Sequence, residues 1–176
     1  MNYIGSALPD FQVNAFQNGE VNTLSQSDLM GHWSILFFYP ADFSFVCPTE
    51  LGDLAERYQA FQQAGAEIYS ISEDTEFVHQ AWHEQSAEVG KVTYPMIADP
   101  AGVLARHYDV LDDQSGQAYR GSSFLIRKGR SGRIRLMIWE LVAMLVKFCG
   151  RYRQPNLWLN MVTGFAQLIG TLVNRL

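Results

Sequence analysis

Thiol chemistry needs a cysteine set where its anion is favoured, and Cys47 is so set. Ahead of it, residues 34–39 read Ser-Ile-Leu-Phe-Phe-Tyr, a short apolar run, rich in aromatic residues, stopped by Pro40; this is the pattern of a buried strand. Behind it, Pro48 and Glu50 suit a helix start. Proline loses no hydrogen bond in the first turn, and a carboxylate meets the positive end of the helix dipole. Leu51, Leu54, Tyr58 and Phe61 then recur on one helical face until Gly65 ends the run. The unpaired N–H groups and partial positive charge of such a start favour thiolate over thiol. Cys47 is therefore a candidate nucleophile, weighed against the commoner fate of a lone cysteine as a small buried hydrophobe.

Two other constellations carry less. His79 and His83 stand four apart and could share a metal ion. However, Gln80 occupies the place of the glutamate in a zincin helix and no third ligand is evident, so a polar helix face is the favoured reading. The basic run Arg127-Lys128-Gly129-Arg130-Ser131-Gly132-Arg133 has neither phosphate-loop spacing nor interleaved aromatics, which speaks against nucleotide or nucleic-acid binding.

The residues around Cys47 resemble a known signature. Pro40-x-x-x-Ser44-x-x-Cys47 is similar to the active-site motif of peroxiredoxins. Its continuation through Thr49-Glu50-Leu51-Gly52-Asp53 resembles the alkyl hydroperoxide reductase C branch, the typical two-cysteine type. Ala81-Trp82-His83 and Tyr94-Pro95-Met96-Ile97-Ala98-Asp99-Pro100 extend the likeness, which covers about residues 10–126. Ser44 stands where that family usually has threonine; both supply a hydroxyl.

The resemblance implies a thioredoxin-like fold and an antioxidant activity, the reduction of hydrogen peroxide and alkyl hydroperoxides through a sulfenic acid at Cys47. It implies that the Ser44 hydroxyl bonds the thiolate and the incoming peroxide, that Pro40 shields the sulfur from water, and that Arg120 polarises the peroxide. Taken alone, Arg120 could equally be a solvated surface residue, and Glu50 could serve the helix dipole only. No metal, haem or bound flavin is implied. The implied partners are a flavoprotein disulfide reductase or thioredoxin as reductant, and further copies of the chain in a homodimer or a ring of dimers. One departure matters: Arg120-Gly121-Ser122-Ser123-Phe124 has one residue more than relatives have. An added strand residue turns the following side chains to the opposite face unless a bulge absorbs it.

Composition bounds the rest. A chain of 176 residues, 48% apolar and 13% aromatic, suits one globular domain with a sizeable core. Two cysteines, Cys47 and Cys149, speak against a disulfide framework and favour a reducing, cytoplasmic setting. Residues 1–6 lack a basic region followed by an apolar one, so no signal peptide is expected. The net charge of −5 hides a split: residues 1–126 carry −13 and residues 127–176 carry +8. Such asymmetry marks either a binding arm or two segments not selected together.

The elements that must position Cys47 alternate. Asn18-Gly19 signals a hairpin between residues 10–16 and Val21. Residues 67–72 read as a strand, and Asp74 and Thr75 offer N-caps for a helix over 77–89 ended by Gly90. Residues 94–98 read as a short strand, 103–108 as a short helix, 112–116 as a turn and 118–126 as a strand. This alternation predicts an α/β layered sheet, with residues 1–126 as one core.

Residues 127–176 read as a separate, non-family tail. Its apolar stretches at 136–148 and 157–173 fall short of a clean run of about eighteen residues, so no membrane span is favoured. Cys149 is a possible resolving partner for Cys47 but lacks the Val-Cys-Pro context of the family's resolving cysteine. Read one base earlier, synonymous codons for residues 143–151 permit Asn-Ala-Gly-Glu-Ile-Leu-Arg-Lys, and those for 164–170 permit Val-Cys-Pro-Ala-Asn-Trp. These resemble the family's segment after its last core strand and its resolving-cysteine motif. The tail therefore reads as a frameshifted translation. The alternative functions are an inactive or single-turnover remnant, acting at most as a binding module, and a redox domain on a membrane-seeking tail.

Overall fold

The structure, a computed structural model, describes residues 7–137 except 64, 121, 128 and 129; beyond Arg120 the description is of backbone. Asn18 and Gly19 take left-handed conformations, with φ of 52° and 84°, and close the hairpin of β1 (Gln12–Gln17) and β2 (Glu20–Ser25). That pair of dihedrals matches the twist of the two strands, which is why Asn-Gly marks the turn. β3 (Trp33–Phe38) leads to α1 (Cys47–Gln63), which returns the chain to β4 (Ala66–Ser72), parallel to β3. Gly65, at φ 77°, makes the exit from α1 with its N–H on the Gln62 carbonyl. α2 (Glu76–Gln85) then carries the chain over to β5 (Met96–Ala98), parallel to β4 and antiparallel to β1.

α3 (Val103–His107) and a small separate hairpin, β6 (Leu111–Asp112) with β7 (Gln117–Ala118), precede the last two described strands. β8 (Ser122–Arg127) pairs antiparallel with β3, and β9 (Arg130–Met137) antiparallel with β8. The sheet order is β2-β1-β5-β4-β3-β8-β9, so the α/β sheet predicted from the alternation is present.

Alternation along the central strands sorts side chains into two cores. Leu36, Phe38, Tyr69 and Ile71 join Leu104 and Tyr108 on one face. Phe37, Tyr39 and Ile68 join Cys47, Leu51, Leu54 and Trp82 on the other. Burial on both faces explains the continuous apolar run of β3.

Three boundaries differ from the sequence reading. The strand expected over 118–126 is split, because β7 closes on β6 and only β8 joins the main sheet. The helix expected over 77–89 stops at Gln85; Ser86 turns extended (φ −104°, ψ 123°), and Val89–Lys91 forms a separate 3-10 turn that brings Val89 into the core. Arg130–Met137, to which the sequence reading assigned no element, is the edge strand β9, so the sheet continues past residue 126. Cys149 and the apolar stretch at 157–173 lie outside the described residues, as does all but the start of the stretch at 136–148.

The Ser122-Ser123 pair ahead of Phe124 leaves the β3 pairing unbroken, from Phe38↔Ser122 to Trp33↔Arg127. The register shift falls between β8 and β9, at Ser123/Leu125.

Two carboxylates tie the loops down. Asp99 caps α3, accepting the N–H groups of Val103, Leu104 and Ala105 at 2.7, 2.9 and 2.9 Å. Glu73, just after β4, accepts the Ala118 N–H at 2.7 Å. Burial first, with Asp99 and Asp74 adding charge of its own sign, pushes the Glu73 carboxyl from 4.5 up to about 7. Asp99→Ala strands three N–H groups and should lower unfolding stability by about 1–3 kcal/mol, read from urea midpoints. Glu73 holds its proton longer in the folded chain than in the unfolded one. Its stabilising contribution is therefore full below pH 4.5 and lost as pH rises through about 7. Glu73→Gln should flatten that part of the stability-against-pH curve; an unchanged slope would refute the assignment.

Candidate active site

β3 delivers the chain to the site and α1 receives it, so the segment between must be held by something other than sheet or helix. Asp42 holds it. Its buried carboxylate accepts the Tyr39 hydroxyl at 2.7 Å on one oxygen and faces His79 Nδ1 at 2.7 Å on the other. Its backbone N–H donates to Asp74 Oδ2 at 2.7 Å. Burial first, then the charge of Asp42, keeps the Tyr39 phenol far above its ordinary range. Next in line, Phe43 sits at φ 53°, a left-handed conformation a bulky residue adopts only when its neighbours are fixed.

His79 is the clearest correction to the sequence reading. It lies on no polar helix face: its residue is fully buried, and Nε2 faces the Ile97 carbonyl at 3.2 Å. His79 stands three residues before the buried Trp82 and shares its face of α2; that spacing was the available signal. His83 Nε2 is turned to the Val92 carbonyl at 3.0 Å. Among the described residues no group of three His, Cys, Asp or Glu is placed to hold a metal ion. Asp74, expected as a helix cap, is spent on Asp42 and on the Ser72 hydroxyl, and Thr75 is the N-cap residue.

Cys47 is the first residue of α1 and has no exposed surface. The Arg120 guanidinium reaches it: Nη1 lies 3.2 Å from Sγ. The same nitrogen lies 3.1 Å from Glu50 Oε2, in an ion pair whose carboxylate is nearly buried. Glu50 therefore does more than meet the helix dipole; it holds the guanidinium beside the sulfur. Burial raises the Glu50 carboxyl above its ordinary value of 4.5, against the opposing pull of Arg120. The Ser44 hydroxyl is buried and has no hydrogen-bond partner among the described residues, the sulfur of Cys47 included. Pro40 is half-buried at the end of β3. Of the sequence candidates, the fold thus joins Arg120 to Cys47 directly, with Ser44 and Pro40 on the same connecting segment.

A cation and a helix start converging on one buried thiol can support attack by sulfur on a polarisable acceptor and stabilise the charge that leaves. Phe43, Phe45 and Val46, on the segment that leads into Cys47, are exposed.

Known proteins align with this arrangement. The chain is 51% identical over 122 residues to alkyl hydroperoxide reductase C of Bacillus subtilis, and 45% identical over 122 residues to that of Escherichia coli K12. Each match covers 69% of this chain and 65% of the relative, so the chain spans just under two thirds of the length of these curated relatives. The crystal structure of Enterococcus faecalis AhpC superposes with a TM-score of 0.74 at 45% identity, covering 88% of this chain and 98% of that one. Mycobacterium tuberculosis AhpC, at 24% identity and a TM-score of 0.70 over 90% of this chain and 99% of that one, shares the fold. The model of the AhpC/TSA family matches residues 4–135, from ahead of β1 into β9 and so through every element that frames Cys47: the chain belongs to the AhpC/TSA family.

Proposed function

We propose that the chain is a thiol peroxidase of the peroxiredoxin type, reducing hydrogen peroxide and alkyl hydroperoxides in antioxidant defence. The observation that carries this is the 3.2 Å approach of the Arg120 guanidinium to Cys47 Sγ at the start of α1. The name alkyl hydroperoxide reductase C borne by its relatives supports it.

In the proposed step, an electron pair of the Cys47 thiolate attacks one peroxide oxygen. The S–O bond forms as the O–O bond breaks, and the departing oxygen leaves as hydroxide or alkoxide and takes up a proton. Cysteine is oxidised to sulfenic acid, and the peroxide is reduced to water or an alcohol. Arg120 and the N–H groups of the first turn of α1 stabilise the charge moving onto the departing oxygen. The buried Ser44 hydroxyl supplies a donor to the bound peroxide, Pro40 keeps water from the sulfur, and Glu50 holds the guanidinium in place.

Recycling of the sulfenic acid draws on the segment after the core. The sequence reading ends the core at residue 126, whereas β9 and the family match, which runs to residue 135, support a core that extends into β9. The remainder is read as a frameshifted tail without the family's resolving cysteine. Reduction by thioredoxin or a flavoprotein disulfide reductase, and assembly into a dimer or a ring of dimers, are then impaired. A cytoplasmic setting fits this chemistry; among the described residues no helix is long and apolar enough to cross a membrane.

In single-turnover stopped flow, Cys47→Ser should abolish peroxide consumption and Cys149→Ser should leave it intact. Arg120→Ala should slow it by more than about tenfold, a loss of about 1.4 kcal/mol or more of transition-state stabilisation. An unchanged rate in that variant would remove Arg120 from the chemistry. A small thiol, not thioredoxin, should return the Cys47 sulfenic acid to thiol and sustain turnover, whereas excess peroxide without that thiol should show, in the intact mass, sulfinic acid building up at Cys47. Sustained thioredoxin-linked turnover with a Cys47–Cys149 disulfide would overturn the impaired cycle.

A further inference from the structure

The nucleophile and its cation reach the site on segments far apart in the chain, and one turn touches both. β4 ends at Ser72, in the middle of the sheet, and the next two residues are carboxylates that point to different neighbours. Asp74 Oδ2 accepts the N–H of Asp42, on the segment that leads into Cys47. Glu73 Oε2 accepts the N–H of Ala118, two residues ahead of Arg120. We propose that Glu73 is a positioning residue for peroxide reduction: by holding the Ala118 N–H it sets the Arg120 guanidinium against Cys47, with Asp74 as the opposite arm. The proposal rests on the reading of Cys47 and Arg120 given above.

The surroundings of Glu73 argue for such a role. Its Oε1 is buried and has no hydrogen-bond partner among the described residues. The charges that face it from its own turn and from the end of β5, Asp74 and Asp99, share its sign. Burial and these like charges disfavour its ionised form. What it contributes is one short bond to a backbone amide whose residue is itself buried. Tyr119 N–H is held in turn by the Val110 carbonyl at 2.7 Å, so Ala118 and Tyr119 are both fixed and Arg120 is the first residue free to reach across. Arg120 takes no other described partner than Cys47 and Glu50.

The test is a double-mutant cycle on the full chain, reduced beforehand, with single-turnover peroxide consumption as the readout. Glu73→Ala should slow the reaction by about fivefold, the size of one lost hydrogen bond, and Glu73→Gln, which keeps the acceptor, should recover most of it. Glu73→Ala added to Arg120→Ala should slow the reaction no further, because the effect passes through the guanidinium. An equal slowing in both backgrounds would mean a merely structural role and would overturn the proposal, as would an unchanged rate in Glu73→Ala. If that variant unfolds, Glu73→Asp, an arm one methylene shorter, carries the same cycle. Arg120→Ala reacting as fast as the parent chain would overturn the Arg120 assignment itself, and so separates failure of the underlying reading from failure of this one.

Discussion

A guanidinium resting 3.2 Å from a buried sulfur is the constraint on which this structure turns. Cys47 has no exposed surface, so a charge on its sulfur must be met inside the protein. Arg120 meets it and is in turn steadied by Glu50, three residues along α1. None of the three can be placed by local structure alone. The helix supplies Cys47 and Glu50 on adjoining turns, while Arg120 arrives only through the β6–β7 hairpin and the pairing of β8 with β3. The contact is thus a product of the whole sheet.

The central strands make that possible by being unexposed on both faces. With Leu36 and Phe38 in one core and Phe37 and Tyr39 in the other, β3 cannot slip by a residue without exchanging its two sets of neighbours. The end of β3 therefore lies in one position, and the buried Tyr39–Asp42–His79 set carries that position into the connecting segment. Such a chain of satisfied polar groups in a dry interior specifies geometry more than it adds stability.

How much of this could be read beforehand depended on whether the cause was local. Cys47 at a strand-to-helix handover was legible from Pro40, Pro48 and the periodic leucines, and the Asn18-Gly19 hairpin from its two turn residues. The left-handed bend at Phe43, the split after Ala118 and the edge strand β9 were not, since each is imposed by partners distant in sequence. His79 was misjudged because a histidine near charged neighbours looks solvated until its helix face is known. Asp74 looked like a helix cap for the same reason, and Glu73 drew no reading at all: sequence shows the donors nearby, not those arriving from residues 42 and 118.

The antiparallel pairing of β8 with β3 also sets an order of events during synthesis. Cys47 leaves the ribosome 73 residues ahead of Arg120, the separation at which the two finally meet. At ordinary elongation speeds that interval is roughly 4–15 s. Within it β3 can gain β4 as a neighbour but not β8, and Cys47 is without Arg120. The nascent chain thus spends seconds with Cys47 already made and Arg120 still to come, and on the function proposed above the thiol meets its cation only once β8 can join β3.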